Sequence, residues 1–385
     1  MCKLKNILKI KNLVKMEEKE KYDYNRIIII GNGFDKALNL PTSYSEFVLD
    51  YLKNCCIKSL CGRFESKLLT LEFPEEYSVE GIEQRILGTL YKDELLDLCR
   101  NIDLRFKKKG DILTKILENQ SIGNWVDIEA IYFNLLLYKL DKINKQPALS
   151  RNYQEIISLN EEFEELTREL ENYIKRVDDS FRYSPEDTLM YDLMDDLLTK
   201  EYRSDMSSKH QKQETSNPSK LLFVNFNYTN TLNKVLKSLP LKTVDILHIH
   251  GNVNDSTNGI IFGYGDDIHS RYKELEEENN DEILKYIKSF YYTYTNNYQR
   301  LIDFILDEKY EVCIVGHSCG LSDRTLLKTI FEEFNCISIK IYTYQGAKEH
   351  FNKAIAVSRH CENKAQMRHK IIPFDKHATI PQRKS

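Results

Sequence analysis

Arg26-Ile27-Ile28-Ile29-Ile30-Gly31-Asn32-Gly33-Phe34-Asp35 is the stretch around which the chain is organised. Four consecutive β-branched, apolar residues read as a strand buried on both faces of a parallel sheet. The run stops at Gly-Asn-Gly. Glycines there permit positive φ and let a ligand come close to the backbone. A strand that enters a Gly-rich turn and then a helix can present backbone N–H groups as a cradle suited to phosphate. The third glycine of a dinucleotide fingerprint is missing, so a tight turn without a ligand is the competing reading.

Three later segments repeat this grammar of a buried strand with a polar or Gly-rich end. They are Leu221–Thr229 (LLFVNFNYT), Ile246–Asn252 (ILHIHGN) and Glu311–Gly320 (EVCIVGHSCG). Open parallel sheets bind ligands at the carboxyl ends of their strands, where all four segments carry their unusual residues. Asn227, followed by Tyr228 and Thr229, offers donors and an acceptor for ribose hydroxyls or a water, or it caps the next helix. His250 suits acid/base work and Gly251 leaves room for a substrate, against a purely structural strand histidine. Gly316-His317-Ser318-Cys319-Gly320 fits the GxSxG nucleophile elbow, but little chain remains after it for the rest of a hydrolase sheet. Ser318 and Asp323 equally suit contacts to phosphate and to a hydroxyl.

Of the 385 residues, 41% are hydrophobic and 30% charged, and the net charge of −4 supplies no global basic field for nucleic acid. Nine cysteines without a CxxC pair fit free thiols in a reducing compartment, hence a cytoplasmic location. The Cys55-Cys56-Cys61 cluster lacks zinc-like spacing, and no metal is expected. No run approaches a membrane span, and the first residues do not form a secretory signal.

The chain divides into a flexible basic leader (1–25, with Met16 a candidate start), a nucleotide-binding domain formed by 26–50 and 220–360, a helical insertion (51–202), a flexible polar linker (203–219) and a loosely ordered basic tail (361–385). Strands are expected at 221–226, 244–250, 259–263, 311–316 and 337–343. Ser43 and Glu46 have capping-box spacing at a helix start. Asp127 and Glu129, beside Trp125, are either acid/base groups or acids that complement a helix dipole. Tyr291, Tyr292, Tyr294 and Tyr298 are either a base-stacking platform or helix packing.

In combination and in this order, these segments resemble the AbiH family of bacterial phage abortive-infection proteins. The matching pieces are Ile-Ile-Gly-Asn-Gly-Phe-Asp (29–35) with Leu-Pro-Thr-Ser-Tyr-Ser-Glu-Phe (40–47), Trp-Val-Asp-Ile-Glu (125–129), Phe-Asn-Tyr-Thr (226–229), His-Gly-Asn (250–252), and Gly-His-Ser (316–318) with Asp323. The order also looks like a distant echo of sirtuin-like NAD-binding domains. The resemblance implies an α/β fold: a Rossmann-like parallel sheet, sirtuin-like or DHS-like, with a large helical insertion. It implies NAD or a related adenine nucleotide as ligand or substrate, with a possible N-glycosidic hydrolysis. Gly31, Asn32, Gly33, Phe34 and Asp35 would line the phosphate and nicotinamide-ribose region. Asn227 and His250 would be catalytic, with His250 the base. Tyr228, Gly251, Gly316, His317, Ser318 and Asp323 would bind the rest, Ser318 and Asp323 holding the adenosine half. Thr229 departs from the Asp common in sirtuin-like hydrolases, and zinc-ribbon cysteines are absent. A phage component or defence partner meeting the insertion, and a homo-oligomer, complete the expectations. A non-catalytic nucleotide sensor and a Ser318 hydrolase remain alternatives.

Overall fold

The computed structural model describes residues 24–74, 80–118, 125–147, 150–184, 186–199, 218–238 and 244–383. The leader up to residue 23, linker residues 203–217, and the side chains of Trp125 and Asp127 lie outside the described residues.

The isoleucine run is strand β1 (Asn25–Ile30), and every residue of it is buried. It sits at the centre of a five-stranded sheet. To one side lie β5 (Leu221–Asn225) and then β6 (Asp245–His248); to the other lie β7 (Tyr310–Val315) and then β8 (Cys336–Ile341). All pairings are parallel, and Ile30 stands level with Asn225 on one side and Val315 on the other. Counted in chain order, these five strands run 3-2-1-4-5, the doubly wound order. Direction reverses between β1 and β7, which puts the crevice for a ligand at the ends of those strands.

Side chains alternate across the sheet with a period of two. Ile28 and Ile30 join the core facing the insertion, while Ile27 and Ile29 join the opposite core. The opposite core is built from helices Asn297–Asp307, Arg324–Glu332 and Ala347–Ser358. Each buried isoleucine contributes roughly 1.5–3 kcal/mol. That a strand carries such residues on both faces explains why no alternation shows in its sequence. Arg26 is also buried, paired with Glu311 at 2.9 Å and donating to Leu197 O at 2.7 Å, so one charge links sheet and insertion.

The insertion between β1 and β5 is chiefly helical, with Tyr44–Ser59, Trp125–Asn144 and Gln154–Ser180 its longest helices. The expected capping box is formed: Ser43 accepts from the Glu46 amide and Glu46 accepts from the Ser43 amide. The insertion also holds something the helical reading lacked, an antiparallel sheet of β2 (Arg63–Glu65), β3 (Leu69–Glu72) and β4 (Arg105–Lys109). Strands of three to five residues carry little periodic signal, and Arg-Phe-Lys-Lys-Lys reads as a solvated charge run.

Two further expectations are corrected. Residues 259–263 form no strand. Gly263 passes so close to Tyr286 O that a Cβ would lie 2.3 Å from it, so the segment threads between loops. The segment after 361 is not loose. It forms helix Lys364–Lys370, adds Ile372 N to Ile339 O at 2.9 Å, and buries Ile372, Ala378 and Ile380. Buried Lys370 donates to Phe331 O and Glu333 O at the end of a helix, where a cation complements the dipole. Among the tyrosines, Tyr292 is buried and stacked on Tyr298, which is packing. Cys55 and Cys56 are buried in the insertion core while Cys61 is exposed. No helix among the described residues is long and apolar enough to cross a membrane.

Candidate functional site at the strand ends

The turn after β1 is closed by its neighbours. Gly31 N donates to Val315 O at 3.0 Å, Gly33 N to Gly316 O at 2.8 Å and Phe34 N to Gly31 O at 2.9 Å. These amides therefore do not form the expected phosphate cradle. The glycines have a packing reason instead. A Cβ on Gly31 would lie 2.5 Å from His317 Cα, and one on Gly33 would lie 2.7 Å from Gly316 Cα. Gly316 itself has φ 68° and would press a Cβ to 2.5 Å from Phe34 N. Two strand-end turns meet backbone to backbone. Asn32 holds the loop that follows, donating to Thr42 O at 2.9 Å and accepting from Thr42 Oγ1 at 2.6 Å.

Beside that turn, β5 delivers Asn227 and Thr229. Asn227 Nδ2 donates to Gly31 O at 3.2 Å. Thr229 Oγ1 donates to Asp35 Oδ2 at 2.7 Å. Asp35 is buried and its Oδ1 has no hydrogen-bond partner. Burial pushes this carboxyl up to about 7, although Thr229, Thr231 and Asn227 favour its charged form. An unsatisfied buried carboxylate oxygen is costly, and this one belongs to a residue that lines a cavity.

The floor of that cavity is an ion cluster. Lys288 is buried, with Nζ 2.8 Å from Glu129 Oε1 and 2.9 Å from Asp323 Oδ1. His250 Nε2 lies 3.3 Å from Asp323 Oδ1 without the angle of a hydrogen bond, and His317 Nε2 lies 3.6 Å from Asp323 Oδ2. One ammonium thus serves two carboxylates. Burial works against charge on all three, but the ion pairs outweigh it for Lys288, held above its ordinary pKa, and for Asp323, held well below the carboxylate range. Glu129 is left with the proton-sharing position, raised to about 7 by burial with the Asp323 charge adding to it. Burial, with Lys288 nearby, pulls His250 down to about 3; burial pulls His317 to about 4. Both imidazoles are neutral at physiological pH. The carboxyls of Asp35 and Glu129 are held nearest neutrality, while burial keeps both imidazoles below their ordinary range.

These groups line one cleft of about 440 Å³ at the sheet's switch point. The structure brings together there Gly31, Asn32, Gly33, Asp35, Asn227, Tyr228, His250, Gly316, His317, Ser318 and Asp323. Phe34 does not line the cleft and is wholly buried in the core. Gly251 does not line it either: at φ 80° its turn runs so near Gly259 O that a Cβ would lie 2.0 Å away. Asp323 stands beside His250, whereas the resemblance assigns the two to different parts of the ligand. Sequence reasoning missed Lys288 and also Lys36 and Lys353, which line the mouth. It weighed Glu129 as either an acid/base group or a helix-start acid. Glu129 was signalled by its place in Trp-Val-Asp-Ile-Glu; Lys288, one lysine among many, had no local signal.

Among the described residues no hydrogen bond joins Ser318 to a histidine. His317 Nδ1 accepts from the Cys319 amide at 3.0 Å and its Nε2 faces Asp323, while the positive φ falls on Cys319 rather than Ser318. No curated protein matches the sequence. The family described as "Bacteriophage abortive infection AbiH" matches residues 27–344, a span that runs from within β1 through the insertion and the whole cleft floor to the end of β8, and the chain belongs to that family.

Proposed function

We propose that this protein is an abortive-infection effector whose strand-end cleft binds NAD or a related adenine dinucleotide and hydrolyses its N-glycosidic bond. The observation that supports this reading is Asp35: a buried carboxyl that lines the cleft at the switch point, held by Thr229 through one oxygen, with the other oxygen buried and without a hydrogen-bond partner. In N-glycosidic cleavage the ribose C1′–N bond breaks, its electron pair returns to the pyridinium nitrogen, and positive charge develops on the sugar. A carboxylate at that position stabilises the developing charge and takes the proton of the water whose oxygen bonds to C1′. Nicotinamide, ADP-ribose and a proton balance the reaction. Glu129, near neutrality on the same floor, is the group to receive and release that proton. Neutral His250 and Asn227 orient ribose hydroxyls, and Lys288 holds the acids in place.

Incubating the purified protein with NAD and following nicotinamide by chromatography, alone and with lysate of phage-infected cells, tests the reading. Release of nicotinamide by the wild type and its loss in D35N, with a thermal melt that stays cooperative and no lower than wild type at the assay pH, is the expected result. NAD that binds yet stays intact under every activating condition refutes hydrolysis. That outcome belongs to the second reading, a nucleotide sensor without turnover. It predicts a stabilisation of about 2.7 kcal/mol at a hundredfold excess over Kd, with no product.

A further inference from the structure

We propose that the cleft continues into a second chamber, which accepts the far nucleobase of the dinucleotide by stacking it on Tyr91; this rests on the dinucleotide reading above. A separate hollow of about 420 Å³ is lined by Lys36, Ser43, Leu90, Tyr91, Lys92 and Ile116 among others. Lys36 and Ser43 also line the first chamber, so the two hollows share a wall. The two hollows are of similar size, each within the range of a small-molecule site.

The chemistry along the path fits such a ligand. Lys36 is exposed on the shared wall, where the diphosphate between the two nucleosides would pass. Beyond it stand two large side chains that the fold leaves in solvent: Leu90 is 73% exposed and Tyr91 67%. They are not a loose tip. The Leu90 and Tyr91 amides donate to Glu94 Oε2 at 3.0 and 3.4 Å, which fixes the turn before helix Lys92–Asn101. A rigid turn that displays an aromatic ring at a hollow, with Lys92 next in sequence and Lys36 on the same lining, offers a stacking face for a flat heterocycle. The insertion thereby completes the ligand site instead of only covering the sheet. The sequence order hides this, because Tyr91 lies more than fifty residues after Asp35 in a segment that reads only as helix.

Calorimetric titration of the full chain with NAD, AMP and nicotinamide mononucleotide tests the proposal in wild type, Y91A and Y91F. Loss of a base–aromatic stack should weaken NAD and AMP roughly tenfold in Y91A. Nicotinamide mononucleotide, which reaches only the first chamber, should bind as before, and Y91F, which keeps the ring, should bind all three as wild type does. A thermal melt of Y91A that overlays the wild type keeps folding out of the result. If wild type binds NAD and Y91A binds it equally well, the second chamber is rejected and the dinucleotide reading stands. NAD binding no tighter than nicotinamide mononucleotide in wild type likewise rejects it. If wild type binds none of the three, both readings fall.

Discussion

At the end of β1, Gly31 and Gly33 have no side chains and their amides are engaged with the carbonyls of Val315 and Gly316. At Lys288, by contrast, long charged side chains from three distant segments are buried against one another, and Glu129, Asp323 and His250 meet there. Both places line the same cleft. The first looks like a ligand site in sequence and works as a packing device; the second is inconspicuous in sequence and holds the titratable chemistry. A Gly-rich strand end is thus a sign of where a cleft is, because close backbone approach is what lets two strand-end turns meet. It does not identify which atoms grip the ligand.

Breaking the ion cluster should have the largest effect. K288M leaves Glu129 and Asp323 buried without their cation, and removal of one partner of a buried pair costs about 3–5 kcal/mol. Chemical denaturation measures it. E129Q in the same background should recover part of the loss, since it removes one of the two stranded charges. If K288M is as stable as wild type, the cluster is not an electrostatic unit and the comparison fails.

The next effect sharpens the carboxyl assignment. Asp35 is raised from 3.8 to about 7 by burial, so between those values the folded state binds more protons than the unfolded state. Stability attributable to it is therefore fully present below the unfolded pKa and is lost as pH rises through the folded one, on the order of a few kcal/mol. Glu129 carries the same sign. His250 and His317 are lowered to about 3 and 4, so they act the opposite way, losing stability as pH falls below their unfolded value of 6.5. The opposing slopes overlap in wild type, and a difference is needed. D35N should gain on wild type in melting temperature as pH rises from 5 to 8, where the charged carboxylate is hardest to bury. A wild-type-minus-D35N difference that is flat across that range would place Asp35 in water or in an ion pair.

How much of this was legible follows from the same contrast. The parallel sheet could be read because Ile27–Ile30 and their counterparts in β5 and β7 are contiguous apolar runs, each a local signal of burial on both faces. Strand-end residues could be gathered because doubly wound topology sends every carboxyl end to one edge. The residues that went unread are those whose meaning depends on distant partners. Lys288 is chemically notable only once Glu129, from the insertion, and Asp323, after β7, stand within 3 Å of it. The β2–β3–β4 sheet and the packed tail were missed for a related reason: short strands and single buried residues such as Ile380 owe their order to tertiary contacts, not to their own periodicity.

The smallest expected effect bears most directly on what the glycine turn is for. In G33A the new methyl carbon would meet the Gly316 backbone at 2.7 Å, and neither turn can yield without breaking the Gly33 N to Gly316 O bond. Overpacking of this kind costs about 1–3 kcal/mol. G316A meets Phe34 N at 2.5 Å and is strained further by its left-handed φ of 68°, so it should lose more than G33A. If the turn is a packing device, both variants lose stability by denaturation while the folded fraction binds nucleotide with wild-type affinity. If instead the turn grips the diphosphate through its amides, G33A would lose affinity by a larger factor than it loses stability, because the amides would have opened toward the ligand on binding. Titration calorimetry and denaturation on the same two proteins separate these outcomes. The second would mean that the Gly33–Gly316 hydrogen bond belongs to the empty state of the cleft alone.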